Sequence, residues 1–186
     1  DQKLKDDLLK RLDGLLRSAR DFEFSTWNDR MIEIGADWHQ QITKALEVCD
    51  LGLFLATPSA FASKYIRDHE LGAFFGEEAH KPGIPIALME LNFKHMDLRG
   101  LEAHQIFFHE NKSGEKRSFQ ACRQKDEFVA RLFDQLCDKL RVNQAQAAKT
   151  QSQAEAFQDE QKEESATAGL ESVHEDIPLP PERSLF

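Results

Sequence analysis

Strands alternating with amphipathic helices at short intervals predict an open, parallel α/β sheet over the first 141 of 186 residues. Three observations carry that reading. The run Leu51 to Thr57 (LGLFLAT) is apolar on both faces and bounded by Asp50 and Pro58, as a central strand covered by helices on each side must be. Leu4, Leu8, Leu12, Leu15 and Leu16 recur at helical spacing. Phe128, Leu132, Phe133, Leu136 and Leu140 do the same at the end of the apolar region.

In chain order, the first helix runs from Lys3 to about Ser18 and is interrupted by Gly14. Phe22 to Trp27 (FEFSTW) alternates large apolar with polar residues and predicts a strand, followed by the polar loop NDRMIEIGAD over residues 28 to 37. Trp38, Ile42, Ala45, Leu46 and Cys49 mark a second helix. Asp37 is placed to cap it, and Gln40 three residues on gives a capping-box-like start. After the Leu51 to Thr57 strand, Ser63 can cap a helix reaching about Gly76. The loop HKPG leads to a strand over Ile84 to Leu91, with a short one at Gln105 to His109.

Residues 142 to 186 form a different region. From Asn143 the chain is rich in Gln, Ala, Glu and Ser, with too few large apolar residues to offset the entropy of ordering, so it reads as a linker or a frayed helix. Its end, DIPLPPERSLF, suits an extended segment leading toward a further domain. Charge divides at the same place. Of 24 basic and 33 acidic residues, 3 and 9 lie in 143 to 186, leaving 21 and 24 in the near-neutral folded part. Neither part offers the basic stripe that binding a phosphate backbone requires, which argues against nucleic acid as a direct partner.

Cys49, Cys122 and Cys137 are odd in number and form no CxxC pair, so reduced thiols and a cytoplasmic setting are the simplest reading. No stretch approaches the roughly 20 apolar residues of a membrane-spanning helix. His69, His80, His95, His104 and His109 show no metal-ligand spacing, so no metal is expected.

In open α/β sheets ligands sit beyond the carboxyl ends of the strands, which selects Trp27, Asn28, Asp29, Pro58, Ser59 and Ser63. Trp27 suits core packing and Asp29 a turn. At about 100° per residue, Glu70 falls among Ile66, Ala73 and Phe74 on an otherwise apolar helix face. A carboxylate there either lines a cleft with a perturbed pKa or sits at the stripe's edge with its head group in water. Trp38 opens its helix either as a core aromatic or as a platform for a ligand ring.

The string GADWHQQITKALEVCDLGLFLATPSAFASKYIRDHELGAF, with the preceding FSTWNDRMIEIG, resembles TIR domains of bacterial origin, over Asp1 to about Arg141. The shared pattern is a strand bearing Trp, a loop ending in Gly, an aromatic opening the next helix, a hydrophobic strand ending in Thr before Pro, and a helix carrying Glu. The resemblance implies a flavodoxin-like sheet with helices on both faces, and a strand and loop upstream of Asp1 that would lie between the strands containing Phe22 and Leu51. It also implies an NAD-cleaving activity centred on Glu70, with NAD+ as substrate and no cofactor.

Trp38 matches the aromatic that flanks the substrate, and Gly35 the glycine ending the loop. Active members carry an aromatic four residues before the glutamate. Here that position is Ile66, and Tyr65 lies one further back. Tyr65, Ser63, Trp27 and Asp29 complete the expected substrate-binding set. The implied partners are other TIR domains, met through the loop 28 to 37, and a sensor or oligomerisation domain beyond residue 186. The rival expectation is a TIR domain that only scaffolds, with Glu70 as a surface residue.

Overall fold

The computed structural model describes residues 1–75, 79 and 81–168, with no side-chain account of Arg67 or of 151–168. Contacts divide the chain into Asp1–Asp138 and Lys139–Phe186. In the first unit the leucine stripe becomes α1 (Gln2–Leu16), which buries Leu8, Leu12 and Leu16, one side chain per turn on one face. A 3₁₀ turn (Asp29–Met31) and α2 (Trp38–Val48) follow. Asp37 caps α2 by accepting a hydrogen bond from the Gln40 amide at 2.9 Å.

β1 (Gly52–Ala56) and β2 (Gly83–Ala87) pair in parallel, in register from Gly52 opposite Gly83 to Ala56 opposite Ala87. Period-two alternation turns Phe54, Ala56 and Ala87 toward one face, where they form a core with Phe61 and Leu71. Ile84 and Ile86 point to the other face and are buried too. A strand covered on both sides matches the apolar run in the sequence.

Between the strands lie α3 (Pro58–Ala62), a π-helical turn (Ile66–Leu71) and α4 (Gly72–Phe75). α3 was not expected. Thr57 caps it, accepting from the Ala60 amide at 3.1 Å, and Pro58 at its first position needs no hydrogen-bond partner. The chain breaks at Ser63, and the end of the next helix, near Gly76, lies outside the described residues.

Phe22–Trp27 is not a strand. Its alternation is real, but among the described residues no neighbouring chain completes a ladder, and aromatic packing holds it instead. The Phe22 and Phe24 rings lie 5.8 Å apart, and Phe24 lies 6.4 Å from Phe133. The expected strand at Gln105 to His109 shrinks to one parallel bridge between Ile86 and Phe107. Phe107 donates to the Pro85 carbonyl at 2.7 Å and accepts from the Ala87 amide at 3.0 Å; on one side Pro85 has no N–H for Gln105, and on the other the Ala87 carbonyl is taken by the Phe119 amide at 2.8 Å. Beyond it, β3 (His109–Glu110) turns away to pair antiparallel with β4 (Lys116–Arg117). β2 itself stops at Ala87, short of Leu91: the Leu88 amide makes the last ladder bond to the Ala56 carbonyl at 3.1 Å, and the Met89 amide then bends to the same carbonyl at 3.4 Å.

The final helix, α5 (Lys125–Ala168), extends past Arg141 into the Gln- and Glu-rich region. Phe128 meets Phe107 at 5.0 Å and Phe119 at 5.2 Å, and so ties α5 to the sheet. The DIPLPPERSLF segment lies outside the described residues. This parallel sheet with helices is the flavodoxin-like α/β arrangement that the alternation of elements predicts.

Gly52 and Gly83 start the two strands side by side, and helix α4 rests on them. A Cβ at Gly52 would stand 2.5 Å from the Phe74 ring, and one at Gly83 would stand 2.5 Å from the Phe75 ring and 2.8 Å from the Phe74 Cβ. Gly83→Ala is therefore expected to cost about 1–3 kcal/mol, the usual penalty of overpacking. Urea unfolding measures it, and Phe75→Leu in that background should recover part of the loss if the contact is the cause.

Candidate functional site

The site is assembled by the segment that leaves β1. Ser63 has extended backbone and accepts a hydrogen bond from the Ile66 amide at 3.3 Å, so its hydroxyl opens the following turn. That turn is π-helical, with i to i+5 hydrogen bonds, so residues five apart share a face as residues four apart do in an α-helix. Tyr65 and Glu70 are five apart. Ile66 packs against the core with Phe61 and Leu71, and the charge of Glu70 reaches Tyr65.

Around Tyr65 three rings gather. Trp38, at the start of α2, has its ring centroid 4.2 Å from that of Tyr65. His39 Nδ1 lies 3.1 Å from the Tyr65 hydroxyl, and the His69 ring lies 4.7 Å from Tyr65 and 4.9 Å from His39. Trp38 is 47% exposed, so it is not the core aromatic that one reading of the sequence allowed. His39 and His69 were missed as site residues. Their only sequence signal is adjacency to Trp38 and Glu70, which is too common to select them.

Glu70 is half-buried. Burial pushes its carboxyl above the ordinary range, the Asp29 charge adds to that, and Lys5 opposes it. The Tyr65 phenol is raised by burial and then by the charges of Glu70 and Asp37. Asp29 opens the 3₁₀ turn, which Asn28 caps by accepting from the Arg30 amide at 3.1 Å. Lys5 donates to Asp29 at 2.6 Å, and Arg30 to Asp6 at 2.8 Å. The start of the loop is thereby bound to α1. Its middle is not: Ile34 is fully exposed, and Gly35 adopts φ +88°, a left-handed conformation that favours glycine.

The other expected residues fare unequally. Trp27 is 45% exposed and stands outside the ring contacts, so it is neither a core residue nor part of the cluster. Asp29, Trp38, Tyr65 and Glu70 come together, and Gly35 shapes the loop beside them. A depression of about 630 Å³ lies elsewhere, between Pro58 and the stretch from Glu90 to Lys94 at the carboxyl end of β2. Among the described residues no group of three or more His, Cys, Asp or Glu is placed to hold a metal.

The fold is a parallel α/β sheet with an acidic and aromatic cluster on its connecting segments. Residues 4–125 match the family model described as the TIR domain, and the chain belongs to that family. No curated protein and no solved structure matches it. A signalling or NAD-related TIR module is the class this establishes, with interactions between TIR domains as its common partner chemistry. Among the described residues no helix is long and apolar enough to cross a membrane.

A carboxyl whose folded-state pKa lies above its unfolded value favours the fold in its neutral form. That contribution is fully present below the unfolded value, near about 4.3, and is lost as pH rises through the folded-state value. Glu70→Gln fixes the neutral form. It is expected to raise the melting temperature by about 1–3 °C at neutral pH, an effect discounted for partial exposure. The gain should vanish by about pH 4, and calorimetry at the two pH values reads it.

Proposed function

We propose that this TIR domain cleaves the bond between nicotinamide and ribose of NAD+ when copies assemble. The observation that carries the reading is a half-buried carboxylate, Glu70, on the same segment as Tyr65, which packs against the exposed ring of Trp38. Nicotinamide leaves as a neutral molecule and needs no acid. The sugar left behind is oxocarbenium-like, and a negative charge close to it lowers the barrier. Glu70 supplies that charge and accepts hydrogen bonds from the ribose hydroxyls. Water then attacks the anomeric carbon, and Glu70 takes its proton, giving nicotinamide and ADP-ribose. Trp38 and Tyr65 offer flat faces for a substrate ring, and a carboxyl raised by burial is a better base than an exposed one.

Assembly runs through the loop 28 to 37. Met31 is 53% exposed and Ile34 wholly so, which is apolar area that a second TIR domain would cover. In the reading we favour, the module works in the cytoplasm as the effector of a bacterial defence or signalling protein, with its sensor or oligomerisation domain beyond residue 186. Cys49, Cys122 and Cys137 form no disulfide, which suits a reducing compartment. The alternative is a scaffold without catalysis, in which the exposed Met31 and Ile34 serve assembly alone.

Fusion to an oligomeric carrier, with loss of NAD+ and appearance of nicotinamide followed by chromatography, separates the two. Glu70→Ala is expected to lower turnover at least about 10²-fold, the scale of removing one electrostatic or acid–base contributor. Ile34→Asp should abolish concentration-dependent activation while leaving the fusion active. Turnover that survives Glu70→Ala removes the mechanism, and none at any degree of assembly favours the scaffold.

A further inference from the structure

We infer that His39 is a positioning residue: it holds the Tyr65 ring at the angle on which Trp38 packs, and so sets the face that receives a flat substrate ring. The inference deepens the NAD-cleaving reading and takes its catalytic meaning from it. His39 Nδ1 lies 3.1 Å from the Tyr65 hydroxyl, and the two rings stand at 90° with centroids 5.9 Å apart. A tyrosine ring is tethered at Cβ alone unless its far end is bound as well. The hydroxyl bond supplies that second tether, so the ring plane resists tipping. Either tautomer of the imidazole makes the bond, because a hydroxyl donates to a bare ring nitrogen and accepts from a protonated one.

Local structure brings His39 to that place. Trp38 and His39 are the first two residues of α2, and the Asp37 cap on the Gln40 amide fixes the backbone of this turn. Successive helical residues point about 100° apart, so the two side chains reach Tyr65 from different directions. Trp38 meets it ring to ring at 4.2 Å with the planes tilted by 46°, and His39 meets it edge-on at the hydroxyl. His69 packs with both, 4.7 Å from Tyr65 and 4.9 Å from His39, which steadies the imidazole in turn. Trp38 leans on Tyr65 while almost half of it stays open, so the ring behind it sets the face it offers. A platform ordered before the ligand arrives spares the cost of ordering it on binding. Such a contact is the same in bound substrate and transition state, and therefore acts on KM rather than kcat.

His39 is exposed, so its substitution leaves the core untouched, and far-ultraviolet circular dichroism checks the fold. Tyr65 is the only tyrosine of the chain and Trp38 one of two tryptophans. In protein carrying Trp27→Phe, the near-ultraviolet tryptophan band therefore reports how Trp38 packs. His39→Ala and Tyr65→Phe should each lose intensity in that band. His39→Asn, which keeps a hydrogen-bonding atom at the position of Nδ1, should retain it. Tyr65→Phe removes the same bond without touching α2, so the test holds even where His39→Ala disturbs the helix.

In the assembled fusion His39→Ala is expected to raise KM for NAD+ by roughly 3- to 10-fold with kcat little changed, and Tyr65→Phe to do the same. The double variant should be no worse than either single one, since both remove one bond, and His39→Asn should stay near the original KM. A tryptophan band unmoved by His39→Ala and Tyr65→Phe overturns the inference. So do additive effects of the two substitutions, or a loss in kcat at constant KM. The band needs no turnover. If it changes as expected while the assembled protein never cleaves NAD+, the hold of His39 on Tyr65 stands and the proposed reaction falls.

Discussion

The close approach of helix to sheet at the start of the two strands governs where everything downstream of β1 can lie. Opposite Gly52 stands Gly83, and the absence of both side chains lets Phe74 and Phe75 rest directly on the ladder. A larger residue at either position would lift α4 from the sheet and take with it the turn that carries Glu70. Phe54 and Phe61, 5.7 Å apart, and Phe75, 6.1 Å from Phe54, continue the same packing toward the carboxyl end of β1. Fully burying such a ring is worth about 1.5–3 kcal/mol, which is enough to hold a short, irregular helical segment that would not persist alone.

On that platform the π-helical turn and the crossed ion pairs act at right angles to each other in purpose. The turn decides which side chains share a face with Glu70, and it replaces Ile66 by Tyr65 there. The ion pairs hold the start of the loop against α1. The two tasks thus fall to separate elements: one is a backbone register on the helix after β1, the other two contacts between α1 and the loop start.

How much of this could be read from the sequence depends on whether the determining signal was local. α1, α2 with its Asp37 cap, and β1 follow from periodicity and capping chemistry, which involve residues a few positions apart. Phe22–Trp27 and Gln105–His109 have strand-like composition, yet a ladder also needs a partner with a free N–H. At the second of these Pro85 lacks one and the Ala87 carbonyl is already taken by Phe119, and no described neighbour supplies a partner at the first. Glu70 was visible as a carboxylate on an apolar face. Its company was not, because the π turn, the four-ring cluster and the reach of Lys5 across 24 residues to Asp29 are products of tertiary structure.

The π turn has one further consequence, for how this segment can change over generations. A helix with one residue more than a regular turn accommodates is sensitive to length as well as to identity. Deleting a single residue between 66 and 69 would let the backbone relax to ordinary α-helical hydrogen bonding, and Tyr65 and the glutamate, then four apart, would still share a face. The route between a π-turned and a regular version of this surface is therefore one codon lost or gained, with the facing pair of side chains preserved and only the residue directed into the core exchanged.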